Sequence, residues 1–150
     1  MRFVIIILIA FIFSNCRGTD KEADEIEYGF SDTILVWETN TDSMIMKRDR
    51  TIPDSVITIN RVINGLNEKY PEVQLVFLRQ SNDTVYTRVP NSDYLGEQMG
   101  SAGASAWFDD AVINLTSVPG INYVSFSMNL QSHAGSSVIS REKYNNWKRQ

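Results

Sequence analysis

Asp109 and Asp110 are the one adjacent acidic pair downstream of residue 32. Two carboxylates can run glycoside hydrolysis when their groups face each other across about 5–9 Å. Neighbours on a helix point in directions about 100° apart, and both of these fall away from the apolar stripe of their element. They therefore read as a solvated helix face. His133 stands among hydroxyls in Gln131-Ser132-His133-Ala134-Gly135-Ser136-Ser137, which invites nucleophilic catalysis by a serine. No G-x-S-x-G turn presents such a serine, so His133 reads as a hydrogen-bonding loop residue or a partner contact. Gly100-Ser101-Ala102-Gly103-Ala104 could offer amides to an anion at a helix start, but a phosphate loop would close on lysine and none follows. That stretch reads as a flexible lead-in to a helix. One cysteine and one histidine exclude an internal disulfide and argue against a multi-ligand metal site. No catalytic residue, metal or cofactor is assigned, and the chain is not expected to be an enzyme. A small envelope hydrolase using His133 is the weakest reading; a small-ligand binder using the Gly100–Gly103 and His133 loops is the stronger alternative.

The elements that would position these residues belong to one globular domain. Of 150 residues, 43% are apolar and 21% charged, enough to build a core. A chain this long removes about 68–70% of its unfolded surface from water. The formal charge of −4 argues against nucleic acid as a partner. Thr33–Thr39 reads as a strand ending in a turn, with Met44–Arg48 as a short extended piece. Val56, Ile59, Val62, Ile63, Leu66 and Tyr70 share one helix face, which Pro53-Asp54-Ser55 starts and Pro71 ends. Val73–Gln80 and Thr84–Val89 flank a turn and predict a hairpin. A second helix is expected over about Gly103 to Ser117, with Phe108, Ala111, Val112 and Leu115 inward. Ile121–Met128 then returns as a strand, with Asn122, Val124, Phe126 and Met128 on one side and Ile121, Tyr123, Ser125 and Ser127 on the other. This order predicts an α+β sandwich: a single sheet of about four strands in βαββαβ order, with two helices on one face and the other face uncovered. Trp37 and Trp107 read first as core. Ile57 and Ile113 sit on the polar side of their helices, and with Trp107, His133 and Trp147 they make a candidate binding surface. Trp147 lies in a basic stretch, Arg141 to Arg149, of net charge +3, which reads as a terminal helix or a contact with a partner or anionic headgroups.

Before this domain stands a different kind of sequence. Met1-Arg2 leads into Phe3–Phe13, all apolar, and then Ser14-Asn15-Cys16. Eleven helical residues span about 16 Å, half a bilayer's hydrocarbon core. The run is too short to cross a membrane and has the layout of a secretory signal peptide. With its cysteine at the cleavage junction, it resembles a bacterial lipoprotein signal. That resemblance implies that residues 1–16 are a leader and that Cys16 becomes the lipid-modified first residue of a membrane-anchored chain. Arg17, rather than Asp, follows Cys16, so the resemblance implies an outer-membrane or surface location. Residues 17–32 hold six acidic and two basic residues, with Ile26, Tyr28 and Phe30 as the large apolar ones, and read as an acidic tether.

Asn114-Leu115-Thr116, Pro119-Gly120-Ile121 and Val124-Ser125-Phe126 resemble the closing block of GerMN domains, the sporulation and spore-germination module. There a helix ending in Leu-Thr runs through Pro-Gly into a final strand. Ile34–Trp37, Met44–Arg50, the Val56–Leu66 helix and the Val85–Leu95 strand with Tyr94-Leu95 fall in the same order as that family's other pieces. The similarity covers residues 33–128, followed by a polar C-terminal extension, 129–150. It implies a non-catalytic envelope module related to ring-building motifs, which binds and assembles with another envelope protein. It transfers no catalytic residue.

Overall fold

The computed structural model describes residues 32–40, 45–128 and 137–144. In chain order the elements are β1 (Trp37–Asn40), β2 (Ile45–Arg48), a 3-10 turn (Asp54–Val56), α1 (Ile59–Lys69), β3 (Val76–Ser81) and β4 (Thr84–Arg88). There follow α2 (Ser92–Glu97), α3 (Gly100–Leu115), β5 (Tyr123–Ser127), β6 (Ser137–Ser140) and a second 3-10 turn, Arg141–Tyr144. The chain is α+β, as the order of its patterns predicts.

Local chemistry explains most boundaries. At the start of α1 the Thr58 hydroxyl accepts the Arg61 N–H, and Pro71 follows Tyr70, the last-turn residue. Val62, Ile63 and Leu66 face the core. Ser81 pairs with Thr84, leaving Asn82-Asp83 as a two-residue turn in which Asn82 takes φ 52°, a left-handed conformation that asparagine tolerates. Where α1 crosses the segment before β1, Ile34 N–H bonds to Arg61 O at 3.0 Å, and a Cβ at Gly65 would lie 2.5 Å from Ile34 O. Only glycine lets these two backbones meet.

The main sheet runs β3-β4-β5-β6, with β4 and β5 parallel and the other pairs antiparallel. A parallel pair needs a crossover, here the stretch containing α2 and α3. On the inner face Val85, Val124 and Phe126 are fully buried. Phe126 packs against Trp107 and Phe108 of α3 at ring distances of 5.7 and 5.3 Å, the latter edge to face.

Four strands are present, but not the four that sequence patterning selects. The strand expected over Thr33–Thr39 pairs with β2 in a separate two-stranded ribbon that packs on α3. Asn114 on α3 explains this placement: its Oδ1 accepts from Trp37 N–H at 2.8 Å and its Nδ2 donates to Trp37 O at 3.0 Å, so a helix side chain satisfies the strand backbone. The fourth sheet strand is β6, formed by residues read as part of a polar extension. Helix α3 starts at Gly100, so Gly100–Ala104 is its opening turn rather than a flexible loop. Tyr94-Leu95 belongs to helix α2, not to a strand sequel.

Because α3 lies between the sheet and the ribbon, Asp109 to Leu115 are all buried, polar residues included. Among the described residues no helix is long and apolar enough to cross a membrane.

Candidate functional site

The adjacent carboxylates are not a solvated face. Asp110, 1% exposed, accepts from the Thr39 hydroxyl on β1, from Lys69 Nζ at 2.7 Å and from the Tyr70 hydroxyl at 2.7 Å. Asp109, on the next position, is buried 3.8 Å from Lys143 Nζ. The exposed-face expectation fails because the ribbon covers that side of α3. Asp110 thus joins β1, the end of α1 and α3, and its oxygens are occupied by the fold. At the far end of α3, Arg141 donates to Thr116 Oγ1 at 3.1 Å and Ser117 Oγ at 3.3 Å. A cation there complements the helix C-terminus.

Tyr70 stands half-buried beside the Asp110 carboxylate. Burial, then the hydrogen bond and charge of Asp110, push its phenol far above its ordinary value of 10.0. In the unfolded chain the phenol titrates near that ordinary value, whereas in the folded chain it stays protonated. The resulting contribution to stability is complete below about pH 10 and shrinks as pH rises beyond it. Urea unfolding at pH 9 and pH 11 should show that fall, and Tyr70→Phe should flatten it.

The candidate binding residues do not come together at the surface. Trp107, Ile113 and Ile57 are 1%, 0% and 3% exposed and belong to the core. Ile57 sits in an extended link before α1, not on a helix. Ile113 is buried because α3 is enclosed on all sides, and Trp107 because it packs on Phe126. None offers a contact surface. His133, Trp147 and Cys16 lie outside the described residues, as do the expected leader, residues 1–16, and residues 17–31 of the expected tether. Among the described residues no group of three histidines, cysteines or carboxylates could hold a metal ion.

What the fold does expose is the outer face of the main sheet. Strand pairing aligns Arg79, Tyr86, Ser125 and Val138 in one row and Ser81, Thr84, Tyr123 and Ser140 in the next. Leu78 stands at the β3 irregularity beside Arg79. Leu78, Tyr123 and Val138 are 48%, 40% and 64% exposed, while serines keep the surface between them low. The Arg79 guanidinium lies 3.6 Å from the Tyr86 ring centroid, a cation–π contact that holds a long side chain flat on the face. The alternation of Tyr123, Ser125 and Ser127 carried this signal in the sequence. Leu78 and Val138 carried none, since one lies at a bulge and the other in a strand hidden by its polar neighbours.

Two open clefts, of about 570 and 600 Å³, share Leu35, Glu38 and Asp49 beside the ribbon, and the second reaches Gly65, Glu68 and Lys69 of α1. Both rims mix the two signs of charge, Lys47, Arg48 and Arg50 with Glu38 and Asp49 in the first and Lys69 with Glu38, Asp49 and Glu68 in the second. The chain matches no family model, no curated protein and no solved structure at a significant level.

Proposed function

We propose that this chain is a membrane-anchored lipoprotein of a bacterial cell envelope, a non-catalytic module that binds another envelope protein through the outer face of its main sheet. The exposed Leu78, Tyr123 and Val138 on one serine-lined surface carry this reading. Leu78 on β3 and Val138 on β6 stand on the two edge strands, and Tyr86 and Tyr123 bridge them across the middle of the face. Four strands about 4.8 Å apart and about 16 Å long present about 300 Å². That face, a few apolar and aromatic side chains among serines, threonine and arginine, is the centre of an interface, and a stable complex needs about 800 Å² per partner, the rest coming from its surroundings.

The anchor in this proposal is Cys16, with an outer-membrane or surface location. A GerMN-like ancestry is part of the same reading. It is supported by α3 ending at Leu115-Thr116 and by Pro119-Gly120, with Gly120 at φ 82°, turning the chain into β5. Recognition rather than turnover is further supported by the engagement of Asp109 and Asp110 within the fold.

A photo-crosslinker at Val138 in intact cells should recover one identified envelope protein, and Tyr123→Glu should abolish that crosslink while leaving the unfolding midpoint unchanged. Equal recovery from the Tyr123→Glu chain would overturn the assignment of this face. Cys16→Ala should move the chain to the soluble fraction, and continued membrane retention would refute the anchor.

A further inference from the structure

The main sheet stops at β3, and among the described residues no strand lies beyond it. Phe77 to Ser81 are all exposed there, so the outer backbone groups of β3 offer a template for one more strand. The two sides of that edge differ. Under the inner side lies a cleft of about 470 Å³ whose apolar wall is Phe77, Ile57, Ile59, Val118 and Pro119, with Asp54, Ser55, Thr58, Asn60 and Gln80 as its polar rim. On the outer side stands Arg79, with Arg88 behind it, and the four strands contain no carboxylate. An added strand would therefore meet an apolar wall with one set of alternate side chains and cations with the other.

This chain carries a segment of that pattern. In Glu25-Ile26-Glu27-Tyr28-Gly29-Phe30 the large apolar residues alternate with two glutamates and a glycine. The described chain also begins in the right place. Ile34 bonds to Arg61 on one flank of α1, whereas Asp32 O accepts from Asn64 Nδ2 at 3.2 Å on the exposed side of that helix. Asn60, Asn64 and Asn67 share a stripe. Asn60 lines the Phe77 cleft, and Asn67 bonds both backbone groups of Leu75, immediately before β3. Traced backwards from Ile34, the backbone thus crosses α1 towards the open edge. Six extended residues span about 20 Å, which matches β3.

We propose that Glu25–Phe30 adds to β3 as a fifth strand of the main sheet, with Ile26, Tyr28 and Phe30 towards the Phe77 cleft and Glu25 and Glu27 beside Arg79. The acidic segment then closes the sheet edge and leaves the outer face as the surface open to a partner. In combination with an anchor at Cys16, it would also leave only a short link between lipid and fold. The strand itself does not depend on that anchor.

Amide hydrogen exchange on the full chain in detergent micelles tests this directly. The β3 N–H groups that do not pair with β4 should exchange at least tenfold more slowly than exposed amides. Successive N–H groups of a strand point to opposite sides, so either Glu27→Pro or Tyr28→Pro must remove a bond to β3 and abolish that protection. Exchange across α3 should stay unchanged in both variants, which reports an intact fold. Fast exchange of those β3 amides in the parent chain, or slow exchange that survives both prolines, would overturn the proposal. So would protection that rises with protein concentration, because a second copy would then be the occupant. These readouts are separate from crosslinking at Val138, so either proposal can fail alone.

Discussion

Replacing Asn114 with Leu is expected to lower the unfolding free energy by about 3–5 kcal/mol, although the two side chains are close in size. Asn114 is fully buried, and its amide serves Trp37 N–H, Trp37 O and Asp110 O at 2.8, 3.0 and 2.9 Å. Leucine can replace none of these bonds. A buried donor or acceptor left without a partner costs about 1–3 kcal/mol, and both Trp37 groups are stranded at once. Against a total of about 5–15 kcal/mol for a domain, that is a large fraction. Urea unfolding should show the midpoint fall with an unchanged slope, and Trp37 emission should shift to the red as the ribbon loosens. Asn60→Ala, at an exposed position of α1, should stay within about 0.5 kcal/mol of the parent. A similarly small loss at Asn114 would mean that the ribbon is held by apolar packing alone.

The second large effect is expected at Asp110. Asp110→Ala removes the common acceptor of Thr39, Lys69 and Tyr70 and leaves a void between β1, α1 and α3. Breaking a buried pair by deleting one partner costs about 3–5 kcal/mol. The Lys69 side chain is 31% exposed and can regain water, which places the expected loss nearer about 3 kcal/mol. Lys69→Met in the same chain should recover part of it, since the stranded ammonium is then gone. A solvated Asp110 would instead give no measurable change and no coupling between the two positions. The alkaline fall in stability should also weaken in Asp110→Ala, because the carboxylate that opposes Tyr70 ionisation is absent.

Helix α1, the β3–β4 hairpin and the alternation of β5 could all be read from residues a few positions apart. Their signals are local: an apolar stripe, a terminating proline, an Asn-Asp turn, and inward Val124 and Phe126; the start of α1 is the exception, because Pro53-Asp54-Ser55 opens only a 3-10 turn and the helix begins after Thr58. Asp109 and Asp110 face water only if α3 has a wet side, and the ribbon and the turn at Arg141–Tyr144 leave it none there. A contrary signal was present, since from Ala104 to Leu115 apolar residues occur around the whole circumference of α3, as in a helix enclosed on every side. Ile113 belongs to that same pattern. The strand at β6 was obscured because Ser137 and Ser140 flank only two apolar residues.

By itself the amino-acid sequence determined an α+β domain and the identity of most of its helices and strands, and it set the apolar run Phe3–Phe13 apart from them. Only the tertiary structure decided that β1 leaves the sheet for a ribbon over α3, that two carboxylates become interior ties, and that Leu78, Tyr123 and Val138 share a bare face. The physical reason is range. Propensity and periodicity act between neighbours along the chain, whereas burial depends on which distant element covers a surface, and Asn114 meets Trp37 across 77 positions.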